Sequence, residues 1–175
     1  MKSSQGFAIW ITGMPASGKS SITRELVRML KEQGVAAAVL ESDALRLILT
    51  PEPSYSDAER DGFYRKVAEL GTLITRQGLN VIFDATANRR SYRERARTHI
   101  PRFLEAHVKC PIEICRDRDP KGIYARAAAG KAATVPGLQT TYEPPAEPEV
   151  LLDCKISPGE NAQAILKILK ELQYI

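Results

Sequence analysis

The chain has 175 residues, 43% hydrophobic and 26% charged, proportions that suit one soluble globular domain with a sizeable core. A formal net charge of +4 suits an enzyme that handles anions and falls short of a nucleic-acid-binding signature. The N-terminus lacks a signal-peptide pattern and no apolar run approaches membrane-spanning length, so a cytoplasmic protein is expected, without a membrane or nucleic-acid partner.

The first apolar run, Phe7 to Thr12, reads as a buried strand and leads into Gly13-Met14-Pro15-Ala16-Ser17-Gly18-Lys19-Ser20. This matches G-x-x-x-x-G-K-[ST] in the context that motif needs, with a helical pattern over 19–32 behind it. Gly13 and Gly18 let the backbone turn so that successive N–H groups, through Ser21, cradle phosphate oxygens at the positive end of the helix. Lys19 is placed to set an ammonium against the β and γ phosphates, and the Ser20 hydroxyl to take a position on Mg²⁺. ATP or GTP is the expected ligand.

Further along, apolar runs alternate with helical patterns: strand 36–40, helix 57–77, strand 80–84, helix 91–104, strand 106–110, then a strand at 149–153 and a helix at 160–172. This rhythm predicts an α/β fold of three layers, a mostly parallel sheet between helices, in a single domain spanning 1–175. Right-handed crossovers bring the strand C-terminal ends to one edge, where the loop at Gly13, Glu41-Ser42-Asp43 and Asp84-Ala85-Thr86 all emerge. From 119 to 148 the rhythm breaks into Asp119-Pro120-Lys121-Gly122, an alanine-rich helical stretch and a proline-bearing tail, an excursion of the size and composition of a lid.

Phosphoryl transfer also needs an oriented acceptor hydroxyl and fixed positive charge. Asp43 is the candidate for receiving the hydroxyl proton, contacting Mg²⁺, or both. Glu41 is its neighbour, able to share that role or to cap a helix, and Asp84 reads as a metal-organising carboxylate at a strand terminus. Arg46 and Arg60 flank a loop carrying Tyr55. Arg89, Arg93 and Arg97 recur on one helical face that could hold an anionic substrate, although a solvated face pairing with Glu94 is the expectation for Arg97 and, less strongly, for Arg93. His99 and His107 belong to no constellation. Cys110, Cys115 and Cys154 are odd in number, without metal-ligand spacing, and are expected to be buried free thiols.

The stretch Arg118-Asp119-Pro120-Lys121-Gly122-Ile123-Tyr124, followed by Gly137 and Tyr142-Glu143-Pro144-Pro145, closely resembles adenylylsulfate (APS) kinases. So do Ser56 to Arg60 and the tail Leu152 to Pro158, and the resemblance runs from about residue 7 to 170. It implies transfer of the γ-phosphate of MgATP to the 3′-hydroxyl of adenosine 5′-phosphosulfate, giving PAPS for sulfate activation. It further implies Lys121 and Lys19 on the phosphates, the loop after the last strand at the ATP base, Arg118 among the ATP-binding residues, and Ser20 and Asp43 at the metal. On the acceptor side it implies Glu41, Asp43, Arg46, Tyr55, Arg60, Thr86, Lys121 and Val135, with a homodimer common in the family. The chain departs from the pattern at Ala44, Phe63, Ala87 and Val135, and Ala87 excludes a phosphoserine intermediate there. Two other readings stay open: a kinase of another nucleotide conjugate or polynucleotide end, and a nucleotide-binding regulatory module without turnover.

Overall fold

A computed structural model describes residues 5–175. Its elements are β1 (Ala8–Thr12), α1 (Lys19–Glu32), β2 (Ala37–Glu41), α2 (Ser42–Leu49), α3 (Asp57–Arg76) and β3 (Asn80–Asp84), followed by α4 (Arg90–His99), β4 (Phe103–Lys109), α5 (Ile112–Arg118), α6 (Ile123–Ala128), β5 (Val150–Asp153) and α7 (Pro158–Glu171). The five strands form one parallel sheet in the order β2-β3-β1-β4-β5. The central strand β1 is buried along its whole length, as a strand covered on both faces must be.

Alternation along β1 divides the apolar residues into two cores. Ile9 and Ile11 face Ile22, Leu26 and Leu30 of α1 together with Ile165 and Leu169 of α7. Ala8 and Trp10 face Phe63 and Val67 of α3 with Tyr92 and Ala96 of α4. The three-layer arrangement follows from this division. In the register Glu41 lies opposite Asp84 and Asp84 opposite Ile11, so the three expected segments leave one edge of the sheet side by side.

Three expectations are corrected. The helix expected to reach 104 stops at His99, and the next strand starts at Phe103 instead of 106. Pro101 drives Ile100 out of the helical region, to φ −118 and ψ 101, which frees Phe103, Leu104 and Ala106 to pack in the sheet. The short helix α2 escapes detection because its start is fixed by the Glu41 carboxylate, which accepts from the N–H groups of Asp43 at 3.1 Å and Ala44 at 3.0 Å. Cys110 and Cys154 are joined in a disulfide, with Cα atoms 5.2 Å apart, and only Cys115 stays free. The pairing of Lys109 with Asp153 across β4 and β5 makes these two cysteines neighbours. Spacing along the chain carries no trace of that adjacency. No helix among the described residues is long and apolar enough to cross a membrane.

Candidate active site

The loop from Gly13 to Ser20 closes on itself and on the sheet. A Cβ on Gly13 would lie 2.7 Å from Ser17 Oγ and 2.9 Å from the Val108 carbonyl, so the close approach requires glycine. Gly18 enters α1 at φ 102, in the left-handed region. Lys19 is buried, and its ammonium donates to the carbonyls of Gly13 at 3.0 Å and Met14 at 2.9 Å. Burial lowers its pKa, and the carboxylates of Asp84 and Asp43 oppose that shift. The Ser17 hydroxyl is buried without a partner, a polar atom of the cradle available to an anionic ligand. Ser20 is exposed at the start of α1, and the Ser21 hydroxyl accepts from Arg24 at 3.1 Å.

Behind the loop sits Asp84, 3% exposed, with its pKa raised by burial and held back by Lys19 and the Ser20 hydroxyl beside it. Asp43 stands at the first turn of α2, and its carboxylate pairs with Lys121. Lys121 is thereby raised in pKa, first by Asp43 and further by Glu41 and Asp84. Glu41 is spent as the cap of α2. No cluster of three or more His, Cys, Asp or Glu capable of holding a metal occurs among the described residues. What the sheet edge offers instead is the Ser20 hydroxyl of the loop with the carboxylates of Asp84 at the end of β3 and Asp43 in α2. That oxygen-only set is too small for an all-protein cage, and it fits a Mg²⁺ that keeps water and phosphate oxygens.

The arginines expected on the acceptor side are fixed by the fold. Arg46 lies between the rings of Tyr55 and Phe63, 4.8 and 4.1 Å from their centroids, and pairs with Glu59 at 2.6 Å. The departure at Phe63 thus supplies an aromatic floor for a guanidinium. Arg60, 6% exposed, donates to the carbonyl and hydroxyl of Thr134. Tyr55 adopts φ 54 and stays 42% exposed. Val135 is buried in the core shared with Ile22 and Val108, so its side chain presents no free face for stacking. The Thr86 carbonyl accepts from the Thr12 hydroxyl at 2.7 Å, which ties the wall after β3 to the residue before Gly13.

The segment 119–148 lies against the loop. Tyr124 donates to the Pro15 carbonyl at 3.0 Å, and Arg118 donates to the Cys154 carbonyl at 2.8 Å. At φ 82, Gly137 packs so near Met14 that a Cβ would lie 2.5 Å from its sulfur. A cavity of about 630 Å³ opens between the wall after β3 and the end of this segment, with Asp57, Asn88, Arg89, Thr140 and Glu143 among its lining. Sequence reasoning missed Trp10, whose indole donates to Ala85 at 3.1 Å, and Tyr64, whose hydroxyl accepts from the Ala87 N–H at 3.1 Å. Both are buried aromatics with a polar end, and neither belongs to a motif: Trp10 lies inside the strand before the phosphate loop and reads only as core. Arg93 is also misplaced by the solvated-face expectation, being 1% exposed.

A family model described as adenylylsulphate kinase matches residues 5–153. A probable adenylyl-sulfate kinase of Pyrococcus abyssi is 36% identical over 172 residues, covering 98% of this chain and 99% of the relative. An adenylyl-sulfate kinase of Gloeothece citriformis is 37% identical, covering 98% and 96%. Among solved structures, an APS kinase of Mycobacterium tuberculosis in complex with AMPPNP and APS superposes with a TM-score of 0.89 at 33% identity, covering 95% of this chain and 98% of that one.

Proposed function

The chain belongs to the adenylylsulphate kinase family, and we propose on that premise that it transfers the γ-phosphate of ATP to the 3′-hydroxyl of adenosine 5′-phosphosulfate. The observation that carries this reading is the pairing of Lys121 with Asp43 beside the buried ammonium of Lys19. A carboxylate and two ammonium groups therefore meet at the edge of the phosphate loop. Asp43 takes the proton of the 3′-hydroxyl as its oxygen attacks the γ-phosphorus, the bond to the β-phosphate oxygen breaks, and ADP leaves. Lys19 and Lys121 follow the negative charge onto the transferring group and the leaving oxygen. Arg60 and Arg46 face the phosphosulfate. Residues 119–148 act as the lid of a single catalytic unit, with Arg118 and the loop after β5 beside the ATP base. Ser20, with Asp84 behind it and Asp43 across from it, would hold Mg²⁺, which when bound neutralises charge on the phosphates.

The test is formation of PAPS by purified protein supplied with MgATP and APS, against a Lys19→Ala control. Product above the control is expected, and its absence removes the reading. A second reading keeps the kinase and changes the acceptor. It is favoured by the burial of Val135 and by the commitment of Arg46 to Glu59, both of which leave fewer free contacts for an adenylyl group. A higher rate with a cytidine conjugate or a 5′-hydroxyl nucleic-acid end than with APS would select it.

A further inference from the structure

Arg93, on α4, is as buried as the apolar core, and its charge is met by Glu105, 3% exposed, with Nε donating at 2.5 Å. Glu105 also accepts from Arg97 at 3.3 Å, and Arg97 is held in turn by Glu149 at 2.5 Å. The guanidinium charge is thus neutralised inside the fold, which leaves no role for Arg93 on a substrate anion. Its other edge is what reaches toward the site. Nη1 donates to the carbonyl of Ala87, and Nη2 donates to the carbonyl of Glu143 at 2.8 Å. A planar fork can bond two carbonyls and a carboxylate at once, whereas an ammonium has no such fixed spread.

Both of those residues are held from a second side as well. Ala87 sits at φ 40, a conformation an alanine keeps only when its surroundings impose it, and its N–H is bonded to the Tyr64 hydroxyl. The Glu143 N–H donates to the Asn88 carbonyl at 2.7 Å, and the Asn88 amide donates to the Thr141 carbonyl at 3.0 Å. Next to them, the Tyr142 hydroxyl lies 3.1 Å from the Thr12 hydroxyl, which already holds Thr86. The end of the lid segment, the acceptor wall and the strand before the phosphate loop therefore share one seam. Arg93 is the buried pin through it.

We propose that Arg93 is a positioning residue for the acceptor. By holding the Ala87 and Glu143 carbonyls together, it fixes the spacing between the acceptor wall and the root of the lid, on either side of the cavity lined by Asn88 and Glu143. The kinetic part of this proposal rests on the phosphoryl-transfer reading above, and the structural part rests on the seam alone.

The test uses the full chain with Arg93→Met combined with Glu105→Leu, which removes the carbonyl bonds without stranding a buried carboxylate. Arg93→Lys is the second variant, keeping charge for Glu105 but not the fork. With MgATP saturating, KM for APS is expected to rise about tenfold in both, while KM for ATP stays within about twofold, because Arg93 bonds Ala87, Glu143 and Glu105 and no residue of the phosphate loop, whose Lys19 is held by Gly13 and Met14. In parallel, tryptic cleavage after Arg126 and Lys131 without nucleotide is expected to be about tenfold faster in the double variant, as local opening becomes easier. An unchanged KM for APS together with unchanged cleavage overturns the proposal. So does a rise in both KM values in step with a loss of folded protein. If the unsubstituted protein makes no PAPS, the activity reading fails, and the cleavage rates still decide whether Arg93 pins the lid.

Discussion

The two halves of the site are built in opposite ways. The donor half is one short stretch, Gly13 to Ser20, closed by bonds within itself: Lys19 to Gly13 and Met14, and the Ser17 N–H to Met14. The acceptor half is assembled from α2, α3, the wall after β3 and the segment 119–148, through Arg46 with Glu59, Arg60 with Thr134, and Lys121 with Asp43. The donor half is closed by local bonds, with Tyr124 on the Pro15 carbonyl and Gly137 against Met14 as its ties to the segment 119–148, whereas the acceptor half exists only when distant elements are docked. On the proposed function, chemistry common to many kinases sits in the first, and selectivity for one acceptor in the second.

This contrast can be attacked from either side. On the proposed mechanism Asp43→Asn removes the proton acceptor and is expected to lower kcat by about 10²–10⁴, with a much smaller change in KM for ATP from the weakened hold on the metal. A parallel loss of ATP affinity would mean that Asp43 belongs to the donor half. Lys19→Ala is expected to cost about 10²–10³ in kcat, and isothermal titration should also record weaker nucleotide binding, with APS binding preserved. On the stability side, Leu26→Ala empties a fully buried position under α1 and should cost about 2–5 kcal/mol in denaturant unfolding while leaving KM for APS unaltered. Sensitivity of that KM to Leu26 would show the two halves to be coupled through the core.

The smallest effect concerns pH. Burial, with help from Arg93 and Lys109, depresses the pKa of His107 to about 4 from an ordinary value near 6.5. Its unfolded form therefore takes up a proton first. The stability it contributes is complete above about pH 6.5 and is lost as pH falls toward about 4. The melting temperature should fall over that window, and His107→Gln should flatten the slope. An unchanged slope would place His107 outside the buried seam beside Tyr142, whose ring lies 6.0 Å away.

The same contrast explains which parts could be read from the chain. Gly13, Gly18, Lys19 and Ser20 are legible because the nest they make is local, and the strand beneath it announces itself by apolar continuity. Lys121 and Asp43 were legible as types, yet their pairing joins residues on separate elements and needs the fold. Arg93 shows why periodicity failed. Arg89, Arg93 and Arg97 at helical spacing look like one solvated face, and it is the buried Glu105 on β4 that draws Arg93 inward while Arg89 stays at the surface with Asp57. Cys110 and Cys154 were misread for a similar reason, since strand adjacency alone brings them together.

The most direct measurement of the account is the ratio of kcat/KM for APS to that for other nucleotide acceptors, taken with MgATP saturating. A preference for APS of about tenfold or more is expected, the scale of one lost or kept stacking contact. A higher kcat/KM for any other acceptor would contradict it.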